Sequence, residues 1–211
     1  MNIRVIFFLL FLCSCADKTA KFTTPQPSWL KDKKVIPGKF RGTFENKEDS
    51  ATLTIDRNVI IRSKHNVFAG KVSDLDSADR VRIHGDTTFV ERDGSTPVNI
   101  TVKSGDFFAD WDEQDTLFCL GCGDKIKRLK KVYYLNHRLT DSSWRVTTML
   151  RNKRGLVMAR ISLENDLPAL RKLTNTPDSV YIFSPTKEQM QQFIKTGFSD
   201  KEQFIKLSKK P

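Results

Sequence analysis

The sequence contains few of the residues that metal-dependent and nucleophilic chemistry need. Its 211 residues include only three histidines and four cysteines. It has no nucleophile elbow, no phosphate-binding glycine loop and no His-Glu-x-x-His motif, which argues against the commonest hydrolases. His65, His84 and His137 stand at no spacing that indicates a shared metal. We therefore expect no metal site, no cofactor and no catalytic residue.

A long apolar segment is also missing. The apolar run from Val5 to Leu12 follows Arg4 and is far shorter than the roughly 20 residues of a membrane-spanning helix. A positive start followed by a short apolar region predicts an export signal. The run closes with Leu12-Cys13-Ser14-Cys15, which resembles the lipobox of bacterial lipoproteins. The resemblance implies that residues 1–14 are a signal peptide and that Cys15, the new N-terminus, is lipidated.

The same resemblance sets an expectation for location. Family members usually carry further acylation of the new amino group, and two or more chains anchor stably where one binds only marginally. In enteric lipoproteins Asp directly after the cysteine retains the protein in the inner membrane, whereas here Ala16 stands there. We therefore expect the protein to be anchored in the outer membrane of a Gram-negative bacterium, on either of its two leaflets. An ordinary signal peptide with two incidental cysteines is the alternative.

Acidic residues are outnumbered: 25 Asp and Glu stand against 36 Lys and Arg, for a net charge of +11. The basic residues include runs at 31–34, 125–131, 151–154 and 206–210. A basic surface favours anionic partners such as lipid head groups or an acidic envelope polymer, and export argues against nucleic acid. A solvated basic surface without a dedicated partner is the alternative.

Aspartates crowd at 106–115 without the pattern of an EF-hand loop, so we expect solvated carboxylates there.

Once Cys13 and Cys15 are set aside, the remaining cysteines are Cys119 and Cys122. Export to an oxidising compartment favours a local disulfide that closes a turn. A thioredoxin-like redox pair has the same spacing, but there the first cysteine opens a helix, whereas a strand ending at Phe118 is expected here. A zinc site would need further ligands. Unpaired thiols are the remaining alternative.

The body of the chain predicts a mainly β fold. Residues 15–34 are polar and predict a flexible tether. Residues 35–162 alternate apolar and polar side chains in short runs, with turns such as Ser104-Gly105 and Gly155, and predict an antiparallel meander, either a barrel or a sandwich. Residues 163–211 predict a C-terminal α/β extension packed on the meander, with two short helices capped by Asp166 and Ser184.

The opening of this β region, Pro37-Gly38-Lys39-Phe40-Arg41-Gly42-Thr43-Phe44, resembles the start of lipocalin-like barrels. Taken together, the features of the sequence leave three functions open. The first is a non-enzymatic envelope lipoprotein that binds an anionic polymer or another envelope protein, besides the membrane through Cys15. The second, implied by the lipocalin resemblance, is a carrier of a small apolar ligand. The third is a thiol–disulfide enzyme that uses Cys119 and Cys122.

Overall fold

The computed structural model describes residues 19–74, 81–84, 87–90 and 99–207, with side chains for 19–73 and 101–207. Cys15 lies outside these residues. Within the described residues, fourteen strands form one sheet and two α-helices accompany it, so the predicted mainly β fold with two short helices is confirmed. The strands are β1 Lys21–Phe22, β2 Gly42–Asn46, β3 Thr52–Ile55, β4 Val59–Lys71, β5 Val81–His84, β6 Thr87–Val90, β7 Asn99–Lys103, β8 Asp106–Cys119, β9 Lys125–Leu129, β10 Val132–Thr140, β11 Ser143–Asn152, β12 Gly155–Arg160, β13 Ile182–Phe183 and β14 Asp200–Lys206; the helices are α1 Asp166–Thr174 and α2 Lys187–Phe193.

The sheet is a long antiparallel meander in which β14 is inserted between β12 and β2. Its order runs β9-β10-β11-β12-β14-β2-β3-β4-β8-β7-β6-β5. The short β1 pairs with the beginning of β11 and, in parallel, with β13. The sheet is not closed: β8 and β10 lie against each other but form no strand pair within the described residues. Of the barrel-or-sandwich alternative, the open sheet fits a sandwich-like meander rather than a closed barrel.

Two apolar cores pack on opposite faces of the sheet. Side chains alternate between the faces along each strand, and the inner face buries one cluster, which includes Phe40, Phe44, Leu53, Ile60, Phe118, Ile126, Leu135, Met149 and Phe204. The outer face of β10, β11 and β12 is covered by α1, α2, β1 and β13 around a second cluster, which includes Phe22, Tyr134, Val146, Leu170, Phe183, Met190 and Phe193. The C-terminal helices therefore cover an apolar face of the sheet that the meander alone would leave exposed to water.

The structure corrects the predicted tether for the part of it that is described. Phe22 is fully buried and pairs through β1 with β11 and β13. Farther on, the backbone N–H of Gln26 donates to the Asn136 side-chain oxygen at 2.5 Å, and the Asn136 amide donates to the Gln26 carbonyl at 2.8 Å. A polar composition predicts mobility, but one buried phenylalanine and one paired amide hold this segment against the sheet.

The C-terminal extension contributes both helices and a strand of the main sheet. Strand β14 pairs with β12 on one side and with β2 on the other. It supplies Phe204 to the inner core, fully buried. The helices of this extension therefore pack on the sheet, while its last strand is part of the sheet. Without β14, the edges of β12 and β2 would lack backbone partners.

Both predicted helix caps differ from the observed ones. Thr186, not Ser184, caps α2: its hydroxyl accepts from the Gln189 N–H, and the Gln189 side chain accepts from the Thr186 N–H, a capping box. Asp166 lies inside α1, where its carboxylate accepts from the backbone N–H groups of Ser162 at 2.9 Å and Ser199 at 2.7 Å. Asp166 thereby fastens the chain on both sides of the helices.

Beyond the inner core, β4 and β8 continue as a long paired arm. They pair from Val59 and Cys119 out to Lys71 and Asp106, and β7 adds to β8. Phe107 and Ala109 are buried in a small third cluster. Large apolar side chains are exposed along the arm at Val67, Phe68 and Phe108.

Candidate functional site

The open side of the sheet holds a cleft of about 960 Å³, which we name the central cleft. Apolar side chains form its floor: Leu117, Leu135 and Met158, of which Leu135 and Met158 belong to the inner core. Leu117 lies where the pairing of β4 and β8 shifts register between Ile60 and Ile61. A β-bulge of this kind redirects a side chain. The volume is that of a typical small-molecule pocket.

Charged side chains form the rim of the central cleft, and part of this charge is neutralised internally. Arg62 pairs with Asp49 at 2.6 Å and with Glu202 at 3.3 Å. Arg160 pairs with the same Glu202 at 2.6 Å and with Asp200 at 3.1 Å. Burial alone would raise the pKa of Asp49, but the pKa is lowered because the Ala51 N–H and Arg62 stabilise the carboxylate.

Other charges on the rim have no ion-pair partner among the described residues. Arg145 on β11 is a half-buried cation of this kind. Asp115 on β8 and Glu164 in the loop after β12 are the corresponding carboxylates. Free charge of both signs above an apolar floor suits an amphiphilic molecule with a charged or zwitterionic head. Sequence reasoning missed Arg145, since isolated arginines in strands carry no motif.

Next to the cleft, one buried carboxylate joins the two sheet ends that do not pair. Asp124, only 3% exposed, accepts from the backbone N–H of Cys119 on β8 at 2.7 Å and of Arg138 on β10 at 2.8 Å. It also bonds Nδ1 of His137 at 3.1 Å, and His137 lines the cleft. We name this set the Asp124 link. It takes the place of the backbone hydrogen bonds that would close the sheet.

The structure joins Cys119 and Cys122 in a disulfide with a Cα–Cα distance of 5.2 Å. The bond closes the short turn between β8 and β9 that delivers Asp124. Cys119 ends a strand and is followed by a single 3₁₀ turn, Leu120–Cys122. The α-helix start that activates the first cysteine in thioredoxin-like pairs is not present at this position.

The structure brings together two of the basic runs, 31–34 and 125–131. The backbone N–H of Lys33 donates to the Ile126 carbonyl at 2.7 Å, so the first run lies along the outer edge of β9. We name the combined surface the basic edge. Its exposed members are Lys31, Lys33, Lys34, Lys125, Arg128, Lys130 and Lys131.

The basic edge contains eight Lys and Arg residues and a single acid, Asp32. Asp32 lies 3.9 Å from Lys125 and 3.8 Å from Lys127. Lys127 is the one member that faces inward; its Nζ donates to the Pro27 carbonyl at 3.1 Å, and burial lowers its pKa. The runs at 151–154 and 206–210 lie apart from this edge along the chain, and residues 208–211 are outside the described part.

The other candidates from the sequence do not assemble into a site. Within the described residues, no group of three or more His, Cys, Asp or Glu is placed to hold a metal ion. The 106–115 aspartates are spread along β8, where Asp112 is exposed and bonds His65 at 2.9 Å. No helix in the part of the chain that the structure describes is long and apolar enough to cross a membrane.

No family model matches the chain, and neither the curated proteins nor the solved structures with which it was compared include a match.

Proposed function

We propose that the chain is a lipid-anchored protein of the cell envelope that binds a small amphiphilic ligand in the central cleft, without catalysis. The observation that carries this proposal is the combination of an apolar floor and a charged rim on the open side of the sheet. Among the three functions expected from the sequence, the carrier function draws most support from this geometry. The export signal and the lipobox resemblance at Cys15 support the location.

The cleft lies near the predicted anchor along the chain. Thr19 and Ala20 line it, and the four residue steps from Cys15 to Thr19 span at most about 14 Å. A ligand that partitions into the membrane would therefore be close to the opening. Its apolar part would contact Leu135 and Met158, and an anionic group in its head would contact Arg145.

The test is mass spectrometry on protein extracted from its own envelope in mild detergent. Denatured protein should have the mass of a chain that starts at Cys15 and carries acyl groups. Native protein should retain one further small molecule. Thr147→Trp, which fills the cleft from the half-buried middle of β11, should remove that molecule.

The matched control is Thr54→Trp, which makes the same change on an exposed strand position. It should leave the bound molecule in place. A native mass without any additional molecule, or equal retention by both variants, would overturn the ligand proposal. A mature chain without acyl mass would overturn the anchor alone, since the two readouts are independent.

A further inference from the structure

We propose that the basic edge is a second membrane contact, which docks on anionic phospholipid head groups beside the anchor. The position of the anchor is taken from the proposed function. The charge pattern of the edge is independent of it. Two runs that are far apart in the sequence, 31–34 and 125–131, are joined here by the Lys33–Ile126 bridge into one surface.

Most lysines of the basic edge have no ion-pair partner among the described residues. Lys31, Lys33, Lys34, Lys130 and Lys131 are all exposed and form no ion pair with any described residue. The single acid, Asp32, is already shared between Lys125 and Lys127. Unpaired lysines on a rigid edge keep their charge available to an external anionic surface, whereas elsewhere arginines such as Arg62 and Arg160 are neutralised by neighbouring carboxylates.

The location of this charge favours a membrane over a soluble polymer. Along the sheet, β1 is separated from β9 by β11 and β10, which is three strand spacings or about 14 Å. An anchor attached just before β1 would therefore hold the basic edge near the same lipid surface. Surface lysines there are attracted to anionic lipids within about a Debye length, 8–10 Å.

The experiment uses the mature chain, residues 15–211, with Cys15→Ser, so that binding does not depend on acylation. The probes are vesicles of phosphatidylcholine mixed with phosphatidylglycerol, and vesicles of phosphatidylcholine alone. The chain should sediment with the anionic vesicles only, and less so as salt is raised. The triple variant Lys31→Gln, Lys34→Gln, Lys131→Gln should lower the partition coefficient roughly 100-fold, since each lysine near such a surface contributes about 1 kcal/mol.

The matched control is Lys172→Gln, Lys187→Gln, Lys195→Gln, which removes the same charge from exposed lysines on and beside α1 and α2. It should bind anionic vesicles nearly as well as the parent. Equal losses in both triple variants would mean that net charge alone acts, and would overturn the site. Failure to bind anionic vesicles, with binding to polygalacturonate that only the first variant loses, would assign the edge to an acidic polymer instead. Retention of the cleft ligand in both variants keeps this test separate from the proposed function.

Discussion

The Asp124 link makes a sharp prediction about stability. Asp124→Ala removes both acceptors of the Cys119 and Arg138 N–H groups and the partner of His137. A hydrogen bond to a charged group contributes about 1.5–3 kcal/mol, so the two backbone bonds together are worth about 3–6 kcal/mol. Both N–H groups are only partly buried and water replaces part of the loss. We therefore expect the free energy of unfolding to fall by about 3 kcal/mol.

Urea unfolding followed by tryptophan fluorescence measures this change, with the disulfide kept oxidised in all samples. In thermal unfolding, a loss of about 3 kcal/mol should lower Tm by about 6–12 °C for a fold of this size. The slope of the free energy against urea should stay the same, since the surface exposed on unfolding does not change.

A second Asp–His pair among the described residues offers a matched control. Asp112 bonds His65 at 2.9 Å, but its side chain is 87% exposed. Asp112→Ala should therefore change the free energy of unfolding by less than about 0.5 kcal/mol. If Asp124→Ala were no more destabilising than Asp112→Ala, the link would not hold the two ends of the sheet together and the reasoning would be refuted.

Three further predictions test the fold. Burial raises the pKa of Tyr134 from 10.0 to about 12, so the unfolded chain loses this proton first. The contribution of Tyr134 to stability should therefore be constant below pH 10 and fall by about 2–3 kcal/mol as pH rises toward 12. Tyr134→Phe should remove this contribution to the slope in pH-dependent unfolding. Asn136→Ala should release the segment around Gln26, seen as early cleavage by limited proteolysis. Unchanged protection would show that the remaining contacts, such as Phe22 and the Lys127–Pro27 hydrogen bond, are enough to dock it. Gly155→Ala should lower the free energy of unfolding in urea by about 3 kcal/mol or more, because Gly155 has φ +141° and a Cβ there would lie 2.1 Å from the Phe204 carbonyl of β14. The control is Gly38→Ala, whose Cβ would meet nothing within 4 Å. Equal losses in the two variants would show that β14 does not lie against Gly155.

The local parts of the fold were predictable because the signals lie within a few residues. Ser104-Gly105 predicts a hairpin turn, and both residues adopt positive φ between β7 and β8, as the tight primed turns require. The turn that ends at Gly155 likewise separates β11 from β12. The mainly β class follows from the same alternation, which pairs neighbouring strands in chain order.

The non-local parts were not predictable from the pattern. Strand β14 has one fully buried side chain, Phe204, and its other side chains are polar except for Ile205, which is exposed; its sequence therefore does not distinguish a central strand from an edge. In the two-residue strand β1, Phe22 is the only buried side chain. In both places the stabilising contacts are backbone bonds to strands far away in the chain, and backbone groups are the same in every sequence.

The candidate site arises from a single feature of the topology, the end of pairing between β8 and β10. Strand β9 occupies the free side of β10 only as far as Asn136, so the rest of β10 faces β8 without a partner. At the first unpaired position the Asp124 link supplies acceptors for two backbone N–H groups. Beyond this position no described strand lies between β8 and β10, and the central cleft opens between Asp115 on β8 and Arg145 on β11. Among the described strands, β9 pairs with β10 only, so its other edge is free to pair with Lys33 and to gather the basic residues. A substitution that let β8 and β10 pair fully would therefore remove the cleft while leaving the basic edge intact, which separates the two binding proposals on structural grounds.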